Sequence, residues 1–196
     1  MSDEMYPIVD EKDQVKEVVF SKEKLHDSKL FHRCVHVFIE VFGGLFLLQK
    51  KADKPEIENA GKWSSAVSGH VIYNESYEQA AIREAFEELG LVISKCELKK
   101  ITKVYPTEEY GFEFVTLFTY LLDPSTEFPK TTDEVDEILI APLKMVTQDI
   151  EKYPEKYSRP FRALFKIFLG FEKNSTVLIK GGTESDVLCL SNYAGL

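Results

Sequence analysis

The chain has 196 residues, 44% of them hydrophobic, with a formal net charge of −9. That length allows one domain of about 150 residues plus extensions, and the acidic balance disfavours nonspecific binding to nucleic acid or to an anionic membrane. Cys34, Cys96 and Cys189 have no metal-binding or redox spacing, no basic-apolar signal opens the chain, and the apolar run 35–48 is broken by His36, Glu40, Gly43 and Gly44; reduced thiols, a cytoplasmic setting and no membrane span are the expectation.

Residues 1–14 are polar and acidic and read as an arm or an edge segment. A strand is expected over 15–20. Residues 35–41 and 45–49, joined by Phe42-Gly43-Gly44, read as a hairpin. Residues 51–62 form a polar loop containing Pro55 and Gly61, and 63–68 lead into the most informative segment of the chain.

That segment runs from Gly69 to Leu91. Gly69, Glu75, Arg83, Glu84, Glu87, Glu88 and Gly90 stand at the spacing G-x5-E-x7-R-E-x-x-E-E-x-G. Ser76 can cap a helix, with Gln79 as its capping-box partner, and Gly90 sits where a left-handed C-terminal residue is expected. At roughly 100° per residue, Ala81, Ile82, Ala85, Phe86 and Leu89 form an apolar stripe, and Glu84, Glu87 and Glu88 cluster opposite it. Like charges so placed repel until a hard cation such as Mg²⁺ or Mn²⁺ gathers them. Glycine at 69 lets the backbone approach a metal or a phosphate closely. An ion pair from Glu75 to Arg83 would pin the loop to the helix. A solvated glutamate-rich helix explains the charges alone, but not the two glycines and the distant glutamate. Seven fixed identities arise by chance on the order of once in 10⁸ starts.

Beyond it, 100–105 and 112–122 read as strands, 123–136 as a loop and 137–141 as a strand. Residues 143–151 and 160–169 read as helices, and 176–180 with 187–190, around Gly181-Gly182, as a final hairpin. The domain is thus expected over 15–172, with an extension at 173–196.

The motif resembles the Nudix box, and the chain is similar to Nudix hydrolases, which cleave nucleoside diphosphates linked to another moiety. The resemblance implies an α/β fold, an α/β/α sandwich around a mixed β-sheet. It implies metal ligation by Gly69, Glu84, Glu87 and Glu88, with Glu84 a ligand or the base that activates water. Arg83, through Glu75, would orient the glutamates. Ala85 stands where the family usually has a larger aliphatic residue. A further acid often comes from a later strand. Glu113 is the first candidate, followed by Glu108 and Glu109; the other reading of Glu113 is an outward strand residue between Phe112 and Phe114. The implied partner is a small-molecule diphosphate, with Lys51 or Lys54, Trp63 and His70 as candidate contacts. Each of these also has a plain reading, as a solvated basic patch, a core or rim tryptophan, and a packing histidine. Oligomeric state is open, a homodimer among the options.

Further residues resemble the isopentenyl-diphosphate isomerase branch: Leu25-His26, Leu30-Phe31-His32-Arg33, Trp63-Ser64-Ser65, Ser68-Gly69-His70 and Tyr157-Ser158-Arg159-Pro160. In that branch, histidines matching His26, His32 and His70 bind a metal. Two departures stand out. Ser68 occupies the place of a reactive cysteine, and of two glutamates on a later strand only Glu113 is present, with Gly111 at the other position. A hydroxyl is a far poorer acid than a thiol at neutral pH. The sum favours a hydrolase on an isomerase-like frame; the alternatives are isomerase-type activity and a noncatalytic nucleotide-binding domain, the latter having no need of a full carboxylate set.

Overall fold

The structure is a computed structural model and describes residues 4–20, 24–25, 30–107, 110–123, 125–127 and 129–181, with side chains to residue 172. His26, Glu108, Glu109 and the strand expected over 187–190 lie outside the described residues. Two compact units are present, residues 1–163 and 164–196.

The first unit opens with β1 (Tyr6–Val9) paired antiparallel to β2 (Val15–Val19). The segment expected to be an arm or edge therefore contains a strand, and all four of its residues are buried. The main sheet contains β3 (His32–Val41), β4 (Leu45–Lys51), β5 (Trp63–Ser65), β6 (Val67–His70), β7 (Lys99–Val104), β8 (Glu113–Leu122) and β9 (Val135–Pro142). The order is β5-β4-β3-β8-β7, with β6 also on β3 and β9 on β4. Among the described strands only β3 and β8 form a parallel ladder, so the sheet is mixed. Helices α1 (Tyr77–Leu89), α2 (Leu143–Lys152) and α3 (Arg159–Gly181), with a 3-10 turn at Pro154–Lys156, follow among the described residues. This is the α/β class, a mixed sheet flanked by helices, that the sequence implied. No helix among the described residues is long and apolar enough to cross a membrane.

The central strand explains the position of the site. Successive side chains on β3 alternate between faces. Val35, Val37 and Ile39 join Leu47, Phe118 and the alanines of α1 in one buried cluster. His32, Cys34 and His36 point to the other face. One edge of β3 is shared: Ile39–Val41 pair with β4, and Cys34–Val37 pair with β6. That division carries Gly69 and His70 onto the end of β3, opposite Val35 and Cys34.

α1 has the predicted bounds, the predicted Ser76–Gln79 capping box and Gly90 at φ 66°. Its buried face is rotated from the expected stripe. Phe86 is 61% exposed, while Glu84 and Glu88 lie in the buried face beside Ala81 and Ala85. The reason is polar supply: the sheet offers donors to Glu88 and Arg83 of the helix itself offers one to Glu84, so these carboxylates need not seek water.

In the second unit the backbone stays helical through Gly181, where 176–180 had been expected as a strand. The β-branched Thr176, Val177 and Ile179 favour strands locally, but extending an existing helix avoids the cost of a new nucleus.

Candidate active site

Arg83 organises the site. It holds Glu75 in a two-point pair, Nε to Oε1 at 3.0 Å and Nη2 to Oε2 at 3.0 Å. Nη1 donates to Glu84 and Glu87 at 2.8 Å each, and Nη2 donates to the His70 carbonyl at 2.8 Å. Burial opposes the Arg83 charge. The Glu75 bonds and the charges of Glu84 and Glu75 outweigh it and hold the guanidinium above its ordinary range. The loop-to-helix pin expected from the sequence is present, and it also reaches strand β6.

Glu84 lies against Gly69. A Cβ built on Gly69 would stand 2.1 Å from the Glu84 carboxylate carbon and from one of its oxygens. Glycine is thus required by contact with the carboxylate; a side chain there would displace it. Burial first, then the charge of Glu88, pushes the Glu84 carboxyl up to about 8. One Glu84 oxygen takes Arg83, and the other makes no hydrogen bond among the described residues. Glu87 is more exposed and likewise gives one oxygen to Arg83. Gly69→Ala is expected to cut turnover by about 10²-fold or more with little change in melting temperature, because a flexible carboxylate end yields more readily than backbone. Thermal melting beside kinetics checks it.

Glu88 is almost fully buried and differently engaged. Its Oε2 accepts from Gln49 Nε2 and from the Ser68 amide, each at 2.9 Å. Its Oε1 pairs with the ammonium of Lys51, which also donates to the Ser68 carbonyl at 3.3 Å. Burial works against the Lys51 charge, but Glu88 more than restores it, so the amine stays protonated.

A second cluster lies where β3, β6 and β8 meet. The parallel register sets Glu113 beside His32, and β6 sets His70 opposite Cys34. His32 Nδ1 donates to the Leu30 carbonyl at 2.7 Å, and Nε2 faces Glu113 Oε1 at 3.2 Å. His70 Nε2 is 3.7 Å from the same oxygen, and the two rings stack at 5.1 Å. Burial lowers the His32 pKa, but the bond and charge of Glu113 reverse this and leave it raised. Ligand atoms of His32, His70 and Glu113 all lie within 4.8 Å of one another, a set that could hold a metal ion. An Nδ1–H fixed on a carbonyl leaves Nε2 as the ligating atom, the usual arrangement for a metal-bound histidine. Glu113 is therefore buried and turned towards the two histidines.

Between the clusters is a cleft of about 240 Å³ lined by Tyr6, His70, Arg83, Glu84 and Glu87, with Glu4 and Glu134. Lys51 and Trp63 do not line it. Trp63 is half-buried on β5, its carbonyl bonded by the Ser158 amide at 2.8 Å. Tyr6, which sequence reasoning missed, meets His70 edge to face at 5.7 Å. Its signal was the short apolar run Met5-Tyr6-Pro7-Ile8-Val9 inside an acidic opening segment.

Behind the site His36 is buried and bonded through Nδ1 to Ser65 Oγ at 2.5 Å. Burial first, then the Lys51 charge, pulls its pKa from 6.5 to about 3. The folded value lies below the unfolded one, so the neutral ring stabilises the fold fully above about pH 6.5 and progressively less as pH falls towards 3. His36→Asn is expected to flatten the pH dependence of stability in that window by up to about 1.4 kcal/mol per pH unit. Urea melts at pH 4, 5, 6 and 7 test this.

Residues 30–164, more than half of the chain, match the family model for the NUDIX domain. The chain belongs to the NUDIX domain family. It is similar to isopentenyl-diphosphate Delta-isomerase 2 of Aromatoleum aromaticum, 30% identical over 162 residues, covering 77% of this chain and 79% of that one. It is also similar to isopentenyl-diphosphate Delta-isomerase of Serratia proteamaculans, 27% identical over 74% of this chain and 81% of that one. Among solved structures, DR0079 of Deinococcus radiodurans shares the fold, with a TM-score of 0.69 at 18% identity, covering 83% of this chain and 98% of that one.

Proposed function

We propose that this protein is a divalent-metal-dependent pyrophosphohydrolase that cleaves the anhydride of a nucleoside diphosphate-type small molecule by attack of water. The observation that carries the reading is the Glu84–Gly69 contact with Glu87 alongside. A helix delivers two carboxylates, each with an oxygen to spare, to a backbone position cleared of any side chain. Such an all-oxygen set suits Mg²⁺ or Mn²⁺, and the Gly69 carbonyl, which accepts from Cys34 Sγ at 3.0 Å, would add a further oxygen. The bound ion would neutralise phosphate charge and acidify water. Arg83 keeps Glu75, Glu84 and Glu87 in register. Glu84, with one oxygen beyond its Arg83 bond, would act as a ligand or as the base that takes a proton from water. Glu113 with His32 and His70 could hold a further ion, next to the cleft that His70 lines. His70 is the one residue common to both, so a diphosphate in the cleft would contact it.

Incubation with a panel of nucleotides and nucleotide sugars, with Mg²⁺ or Mn²⁺ and with chelator, tests the proposal. Phosphate or nucleoside monophosphate should appear only with the metal. No turnover of any panel member under either ion sinks it.

A second reading, isomerisation of isopentenyl diphosphate, is favoured by the His32–His70–Glu113 cluster and by the names of the relatives. Ser68 and Gly111 weigh against it, since they remove a thiol and a carboxylate from the proton-transfer set. Solvent deuterium entering isopentenyl diphosphate, and absent with Ser68→Ala, would establish it.

A further inference from the structure

Lys51 sits where a small cation would. Its ammonium lies between two hard oxygens, Glu88 Oε1 and the Ser68 carbonyl, in a buried position. The other Glu88 oxygen is fixed by Gln49 and by the Ser68 amide, so the carboxylate cannot swing away to meet a second cation elsewhere. A cation that binds Glu88 through Oε1 therefore competes with the Lys51 ammonium for that oxygen. The seat adjoins the box: Ser68 precedes Gly69, against which Glu84 rests, and the charge of Glu88 acts on Glu84. Oxygen ligands of this kind suit a divalent ion at least as well as an ammonium, and the ion brings twice the charge.

We propose that Lys51 is a tethered competitor for the metal, holding the Glu88–Ser68 seat until a divalent ion displaces it. The proposal rests on the metal-dependent hydrolase reading. It assigns Lys51 two successive roles on one flexible stem. In the metal-free protein the ammonium neutralises Glu88 and keeps the box from repelling itself apart. Once displaced, the same charge is free to meet the anionic substrate, so metal loading and phosphate binding support each other. The effect of Lys51 is read in metal affinity before any turnover.

The test is Mn²⁺ titration of the full chain, following free Mn²⁺ by electron paramagnetic resonance, with melting curves as a control. Lys51→Met should bind Mn²⁺ more tightly than wild type, by roughly tenfold or more, and adding Glu88→Gln to that variant should abolish the gain. Equal or weaker binding by Lys51→Met overturns the proposal, and so does a gain that survives Glu88→Gln. A second measurement needs no variant. Acetylation of Lys51, followed by mass spectrometry, should rise when Mg²⁺ is added, because the amine leaves its buried seat. Labelling that stays constant or falls overturns the proposal even if Lys51→Met fails to fold. Wild-type protein that binds no Mn²⁺ removes the hydrolase reading, and this inference with it. Wild-type binding with an unimproved Lys51→Met removes this inference alone.

Discussion

Glu84→Gln is expected to lower turnover by about 10²–10⁴-fold while leaving the metal-free protein as stable as wild type or more so. The loss follows from chemistry: the amide keeps one acceptor for Arg83 but can neither take a proton from water nor bind a cation as a carboxylate does. The stability follows from linkage. Burial and the Glu88 charge raise the folded Glu84 pKa from 4.5 to about 8. The folded state therefore binds the extra proton between these values, and its stability falls as pH rises through them. Glutamine, a mimic of the protonated acid, removes that penalty. Above pH 8 the metal-free variant should melt at or above the wild-type temperature, and Mg²⁺ should stabilise the wild type more than the variant. Melting at pH 6 and pH 9, with and without Mg²⁺, separates the terms. A variant that melts well below wild type without metal contradicts this account of the site.

Arg83→Met is expected to be the more damaging change to the fold, costing about 3–5 kcal/mol, because it leaves buried carboxylates without their counter-charge. Arg83 satisfies Glu75, Glu84, Glu87 and the His70 carbonyl together. Removing it releases the loop before α1 and the end of β6 at once. Metal should recover part of the lost stability, since it replaces positive charge at Glu84 and Glu87, but not at Glu75. Urea unfolding with and without Mn²⁺ measures both quantities; a loss within about 0.5 kcal/mol would show the network to be surface decoration.

The box was legible because its signals are local. Capping at Ser76, the left-handed Gly90 and the Glu75–Arg83 pair depend on residues within about two turns of one another, and all appear where the spacing put them. The face that α1 buries was less legible, since it depends on what the sheet supplies. Gln49, Lys51 and the Ser68 amide make room for Glu88, and Phe86 is turned out as a result. For the same reason Lys51 reads in sequence as a basic residue for phosphate and in structure as the partner of a carboxylate. Glu113 could be read as outward or functional until β8 was known to run parallel beside β3; that register alone sets it against His32. Tyr6 was out of reach because nothing in its neighbours indicates that β1 closes one side of the cleft.

The parallel union of β3 and β8 also governs how the protein reaches this state. His32 and Glu113 are 81 positions apart in the chain, and the intervening segment holds the whole box. Closing so long a loop costs entropy before any contact repays it, which slows folding relative to chains built from near neighbours. α1, with its own caps, and the tight β3–β4 turn can form early from nearby residues. The histidine–glutamate seat is assembled only when β8 docks. The expected order is the box helix before the second ion seat, with hydrogen exchange at β8 reporting the last step.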